Sequence, residues 1–289
     1  MIQEATATPD IGEVVMHHTA DAWTLDFYPF GEIHLPRWAD VHLGPLTVNL
    51  SPTKHVVFLA LAALLVFLTM KLAGRALERQ RAGQKAPKGF AAAVEAMVLF
   101  VRNDIAIANI GENGAKFAPL IMALFFFILY SNLLGLIPFG ASPTGNLAVT
   151  GALAILVFLT IEIAGAIKLG PKGYLGTIFP HVPGLHGPAA VAMSIGMAPI
   201  EILGKLVKPF ALAVRLFGNM TAGHFVILSL FGIIFLFGGL QGWNWIIGGV
   251  TAALVVGIML LELIVAFLQA YVFALLSGVY IGMAISHEH

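Results

Sequence analysis

The chain has 289 residues, 59% of them hydrophobic and only 10% charged, with a mean hydropathy of +0.92. That composition lies outside the range of water-soluble globular domains and is that of a chain crossing a membrane several times. The 15 basic and 15 acidic side chains cancel, which excludes a nucleic-acid partner, and the absence of cysteine removes disulfides, thiolate metal sites and cysteine nucleophiles.

The opening residues, Met1-Ile-Gln-Glu-Ala-Thr-Ala-Thr-Pro-Asp10, have neither the basic start nor the apolar centre of a signal peptide, so the first span is expected to do the targeting. Residues 1–50 are acidic and broken by Pro29, Pro36 and Pro45, with short alternating runs such as Thr24–Tyr28. They predict an extracytoplasmic extension, followed by a membrane domain over 51–289. His55–Met70 is the first apolar run and is short for a span of about 20 residues, so Leu50–Thr53 are expected to lengthen it. Lys71, Arg75, Arg79, Arg81, Lys85 and Lys88 follow, and by the positive-inside rule they put this loop in the cytoplasm and the N-terminus outside.

Gly89–Ile110 mixes apolar positions with Glu95, Arg102 and Asp104, a pattern for an amphipathic helix on the cytoplasmic interface. No charge occurs from Phe117 to Ile161, and the turn-rich cluster Gly140-Ala-Ser-Pro-Thr-Gly-Asn146 divides that stretch into spans near Phe117–Phe139 and Leu147–Ile167. Lys168 and Lys172 mark the return to the cytoplasm before a proline- and glycine-rich loop, Phe179–Pro188. Two long apolar segments remain, Ala189–Phe237 and Gln241–Ile285, joined by a loop that includes Gly238–Trp243. As helices each would reach about 70 Å against a hydrocarbon core of about 30 Å, so they must break or tilt steeply as a hairpin. A steep tilt would bury a long face against a neighbouring protein. The predicted fold is therefore all-α and polytopic: about five membrane-embedded helices and one interfacial helix.

Arg215 is the sole lysine or arginine after Lys208. An arginine at the bilayer centre costs about 2.5–3.5 kcal/mol on insertion scales, so it faces a partner, a cavity or an ion path. The other polar candidates in the last two segments are Glu201, Lys205, Lys208, Asn219, His224, Glu262 and Gln269. Glu201, Lys208 and Arg215 recur every seven residues and form one stripe, Asn219 follows Arg215 by four, and His224 lies half a turn away from Arg215. Two readings stay open on spacing. Glu201 could pair with Lys205 and Arg215 with Glu262 as helix glue, or a lone cation with separate His and Glu positions could form a proton pathway.

Pro199-Ile-Glu-Ile-Leu-Gly-Lys-Leu-Val-Lys-Pro-Phe-Ala-Leu-Ala-Val-Arg-Leu-Phe-Gly-Asn-Met-Thr-Ala-Gly-His224 resembles the signature segment of the a subunit of F-type ATP synthases. Leu268-Gln-Ala-Tyr-Val-Phe273, the Gly-Val-Tyr-Ile run near the C-terminus and Asn132-Leu-Leu-Gly-Leu-Ile-Pro138 are similar to the same family, over about residues 50–289. The resemblance implies that Arg215 is the essential arginine facing the rotating ring of c subunits. It implies that Glu201 lines the cytoplasmic half-channel, and that Asn132, Asn219, His224, Glu262 and Gln269 belong to the opposite half-channel and the surroundings of Arg215. His on the first long helix and Glu on the second is the arrangement of mitochondrial-type and related bacterial members, while Gly135 stands where some relatives have an aspartate. The implied partners are the c ring, b-type peripheral stalk subunits, the rest of the complex and membrane lipid, in a bacterial inner membrane.

The chemistry fits on its own terms. A histidine with an ordinary pKa near 6.5 beside a carboxylate passes protons close to neutral pH once water reaches it, which makes His224 and Glu262 the expected relay. No cofactor or metal is expected. Ser286-His-Glu-His289 lacks the second histidine spacing of a zinc site, and no Gly-x-x-x-x-Gly-Lys-Ser/Thr loop is present, so nucleotide chemistry is assigned to other subunits and no catalysis to this one. A stand-alone ion-coupled transporter is the main alternative, but the Arg215 segment has no internal repeat. An intramembrane hydrolase would need a nucleophile and base, and Ser194 and Ser229 have no such context.

Overall fold

The apolar runs form helices, and the turns between them fall where proline and glycine cluster. The computed structural model describes residues 21–27, 31–38, 41–43, 46–49, 51–83, 89–137, 140–179, 184, 187–237 and 244–285. The His17-His18 pair, Lys85 and Lys88, Phe139, most of the Phe179–Pro188 loop, the Gly238–Trp243 connection and the tail at 286–289 lie outside the described residues. Among the described residues, five helices are long and apolar enough to cross a membrane: Lys54–Arg75, Gly114–Leu136, Leu147–Ile178, Pro188–Leu230 and Gly248–Ile285. The expected all-α polytopic class is the observed one.

The elements in chain order begin with strands β1 (Thr24–Phe27), β2 (Gly31–His34), β3 (Val41–Leu43) and β4 (Leu46–Val48). Helices α1 (Lys54–Arg81), α2 (Phe90–Phe100), α3 (Gly114–Leu136), α4 (Leu147–Ile178), α5 (Pro188–Phe237) and α6 (Asn244–Ile285) follow. A π-helical turn, Val101–Ile107, and a short helix, Ala108–Ile110, extend α2, and a 3-10 turn, Pro143–Gly145, separates α3 from α4.

Residues 51–53 stay outside the first helix, contrary to expectation. Pro52 disfavours helical geometry at the residue before it, and α1 starts two residues later. The missing length is recovered at the other end, where the span runs on to Arg75. Lys71 lays its ammonium 4.6 Å from the Phe67 ring centroid, so its stem covers apolar surface while its charge stays at the edge of the span. Helix α4 breaks at Gly170, whose φ of 69° and ψ of 173° leave the helical region, and Pro171 opens the next turn. By contrast α5 runs unbroken through 50 residues despite Pro199 and Pro209. Of the two expected outcomes for the long segments, break or tilt, a helix of about 75 Å leaves the oblique course.

Close contacts divide the chain into two units, Met1–Leu64 with Leu129–Asn146 and Phe217–Leu268, and Leu65–Ile128 with Leu147–Leu216 and Gln269–His289. In the first, β1 pairs antiparallel with β2 (Thr24 opposite His34) and β3 with β4 (Val41 opposite Val48). The hairpins are tied to the start of α1: Lys54 N–H donates to the Ala22 carbonyl at 2.9 Å, Trp38 N–H to Ser51 Oγ at 2.9 Å, and His55 Nδ1 meets Asp21 Oδ1 at 2.8 Å. The second unit has its own core, in which Ile105, Ile121, Phe125, Ile128, Leu216, Phe273 and Ile281 are fully buried. There the Gly278-Val-Tyr-Ile-Gly282 stretch of α6 packs backbone to backbone on the extension of α2. A Cβ at Gly282 would overlap the Asn109 carbonyl, and one at Gly278 would touch the Ile105 carbonyl at 3.5 Å. This is the close approach that a small-xxx-small pattern permits between membrane helices.

The α2 region buries Val94, Val98, Val101, Ile105, Ala106 and Ile110 and exposes Asn103 and Asp104, the two-faced pattern expected of it.

Burial alone would raise the Asp21 carboxyl, but the His55 hydrogen bond and charge outweigh it and hold Asp21 below its ordinary value of 3.8. A depressed carboxylate contributes stability above its ordinary value and loses it as pH falls through the folded value. Asp21→Asn is therefore expected to speed hydrogen exchange at the Leu35 and Lys54 amides several-fold at neutral pH, an effect that shrinks below pH 3.8, with helix content unchanged by circular dichroism.

Candidate functional site

Asn132 on α3, His224 on α5 and Glu262 on α6 belong to the same unit. Asn132 is fully buried; its Nδ2 donates to the Ala266 carbonyl at 3.2 Å and its Oδ1 accepts from Thr144 Oγ1 at 2.6 Å. Thr144 Oγ1 is also 2.7 Å from Ser142 Oγ, which reaches the Ser131 carbonyl at 3.1 Å. Each hydroxyl carries one proton, so with Thr144 donating to Asn132 Oδ1, Ser142 donates either to the Ser131 carbonyl or to Thr144 Oγ1, not to both. The α3–α4 turn thus closes a buried polar network around Asn132, and one unmatched member would cost about 1–3 kcal/mol.

His224 places Nδ1 2.9 Å from the Met220 carbonyl and Nε2 3.0 Å from the Gly135 carbonyl. Carbonyls only accept, and a neutral imidazole carries one N–H, so the protonated ring makes both bonds and the neutral ring one. Proton gain or loss at His224 is therefore coupled to a contact with α3. Glu262 is 9% exposed, and among the described residues its Oε2 has no hydrogen-bond partner. Its carboxylate rests against Gly223, where any Cβ would overlap it, and lies close enough to His224 for their charges to interact. A buried carboxylate with a free oxygen beside an imidazole can accept and hand on a proton.

The other unit holds a second polar cluster around a cavity of about 250 Å³ lined from α4, α5 and α6. Glu201, Glu162, Lys205, Lys208, Tyr174 and Tyr280 face it. Lys205 Nζ lies 3.6 Å from Glu162 Oε2 and donates to Thr177 Oγ1 at 2.9 Å, with its charge 4.8 Å from the Tyr174 ring centroid. Tyr174 OH donates to the same Glu162 oxygen. The Glu201–Lys205 pair that spacing allowed is not formed: Lys205 is drawn to α4, and Glu201 is exposed. The turn Pro171–Ile178, re-aimed by Gly170, carries both Tyr174 and Thr177 to the cavity.

Arg215 and Asn219, one turn apart on α5, are both exposed, and among the described residues no ion pair or hydrogen bond engages the Arg215 guanidinium. Leu203, Val207, Phe210 and Val214 are exposed on the adjoining flank of α5, while Glu201 and Lys208 share the stripe of Arg215. Gln269 is buried on α6 at 1% exposure. The structure thus brings Asn132, His224 and Glu262 together, places Glu201 with the second cluster and leaves Arg215 and Asn219 on an open face. Sequence reasoning missed Glu162, Tyr174, Ser142, Thr144 and Gly223. Glu162 carried a readable signal as the sole acid between Asn113 and His181, whereas the hydroxyls and the glycine carry none until the turn is folded.

Comparison with known proteins supplies the family. Residues 51–282 match the ATP synthase A chain family. The chain is similar to ATP synthase subunit a 2 of Chlorobaculum tepidum, 46% identical over 99% of this chain and 76% of the relative. It is also similar to ATP synthase subunit a of Chloroherpeton thalassium, 44% identical over 94% of this chain and 77% of the relative. ATP synthase subunit a of Anaeromyxobacter dehalogenans is 40% identical over 96% of this chain and 71% of the relative. With five apolar helices and a match over most of its length, the chain is a multi-pass membrane protein that belongs to the ATP synthase A chain family.

Proposed function

We propose that the chain is the stator channel subunit of a proton-translocating F-type ATP synthase, in which Arg215 separates two aqueous half-channels that serve a ring of c subunits. The observation that carries this reading is Arg215 itself: a permanent cation exposed on a long and mostly apolar helix, unengaged among the described residues. A cation at membrane depth requires a counter-charge, and an exposed one takes it from a neighbouring chain. A carboxylate on a passing c subunit, having lost its proton, meets that need. The fixed charge also repels a proton moving directly from one half-channel to the other.

His224, Glu262 and Asn132 form the half-channel on the outer side, to which Asn219 and Gln269 also contribute. Protons arrive at Glu262 or His224 and pass to the c-ring carboxylate. Glu201 and its cavity form the half-channel on the cytoplasmic side. The basic residues Lys71, Arg75 and Arg79 in the C-terminal part of α1 support a cytoplasmic placement of that end, with residues 1–50 outside and the C-terminus inside a bacterial inner membrane. The subunit conducts and does not itself catalyse; nucleotide chemistry, the b-type stalk and the remaining subunits complete the complex. Moving one charge across 100 mV is worth about 2.3 kcal/mol, so several protons must be gathered per ATP, and a rotating ring does the gathering.

Two tests follow in vesicles holding the assembled complex. Glu262→Leu is expected to slow passive proton flux strongly while the subunits still co-purify, and Glu201→Leu to slow it less; unchanged flux in both would remove the half-channel assignments. Gly223→Ala is expected to slow flux several-fold without loss of assembly, because the added methyl displaces a flexible carboxylate rather than backbone. Wild-type flux in that variant would show that the position of the Glu262 carboxylate is immaterial.

A further inference from the structure

We propose that Glu162 is a positioning residue that holds Lys205 away from Glu201, keeping Glu201 free to exchange protons. The inference rests on the reading of Glu201 as part of the proton path. Glu201 and Lys205 sit four residues apart on α5 with the acid N-terminal to the base, the more favourable orientation for a helical ion pair. Left to themselves they would pair, and a carboxylate held by a nearby ammonium is a poor proton carrier because the pair favours its charged form.

The structure shows that competition decided the other way. Lys205 Nζ turns to α4, where Glu162 Oε2 lies at 3.6 Å, Thr177 Oγ1 accepts at 2.9 Å and the Tyr174 ring centroid lies at 4.8 Å. Glu162 is itself fixed, because Tyr174 OH donates to the same oxygen. The side chains of Lys205 and Glu162 are 21% and 17% exposed, so this pair is better shielded than one formed with the exposed Glu201 would be. The second lysine of the cavity is diverted as well: Lys208 Nζ stands 5.4 Å from the Tyr280 ring centroid on α6. Among the described residues no hydrogen bond or ion pair reaches the Glu201 carboxylate, although two ammonium groups line the same cavity. The helix break at Gly170 matters here because it brings Tyr174 and Thr177 back to the cavity wall.

The test is ATP-driven proton pumping in inverted vesicles carrying the whole complex, with assembly checked by co-purification. Glu162→Gln is expected to slow pumping several-fold by releasing Lys205 to Glu201, Glu162→Asp to restore most of the rate, and the double variant Glu162→Gln with Lys205→Met to recover toward wild type. Recovery on removing a second cavity residue is the decisive readout, since a packing defect would deepen instead. If Glu201→Gln slows pumping but Glu162→Gln does not, or the double variant stays as slow as Glu162→Gln, the inference is overturned and Glu201 keeps its place. If Glu201→Gln pumps at the wild-type rate, the path through Glu201 fails and takes the inference with it. Should Glu162→Gln fail to assemble, Thr177→Val decides: a smaller loss relieved by Lys205→Met supports the proposal, and no loss overturns it.

Discussion

The cost of a charge in hydrocarbon governs this molecule. Every ionisable group at membrane depth must be paired, shielded by polar neighbours or supplied with water, and the chain meets these demands in different ways at different places. Lys205 is paired and hydrogen-bonded. Glu262 is buried against a glycine beside a histidine. Arg215 is left exposed on α5 with no ion pair or hydrogen bond among the described residues. The separation of roles among these groups follows from which of them the fold satisfies internally.

Helix length serves the same end. A 50-residue α5 and a 42-residue α6 are longer than an upright span of about 20 residues requires, which leaves each an oblique course through a bilayer. Small residues allow the close approaches that hold the helices: Gly278 and Gly282 let α6 lie on the extension of α2, and Gly223 makes room for the Glu262 carboxylate. Gly170 does a different job, breaking α4 so that its last turns can supply Tyr174 and Thr177 to a polar cavity.

Much of this was legible in the sequence because the membrane imposes a strong and simple pattern. Apolar run length located the helix starts to within a few residues, whereas α1 and α4 run on past their apolar runs to Arg81 and Ile178, and the isolated charges named the candidates. The errors have local causes. Residues 51–53 do not extend the first span because Pro52 stands in the way, and the span instead borrows basic residues whose stems are apolar. The four-residue spacing of Glu201 and Lys205 suggested a pair, but spacing along one helix cannot report a stronger competitor on another, and Glu162 is that competitor. The Ser142–Thr144–Asn132 network was invisible for the same reason: it depends on how the α3–α4 turn folds back. Family membership removes the stand-alone transporter that residue spacing had left open.

The central claim is that Arg215 acts on the c ring as an electrostatic gate. The most direct test is ATP-driven proton pumping by inverted vesicles with Arg215→Ala in the otherwise intact complex, with subunit co-purification measured on the same preparation. The account predicts that pumping vanishes while the complex stays assembled. Pumping near the wild-type rate would contradict it and reduce Arg215 to a structural side chain.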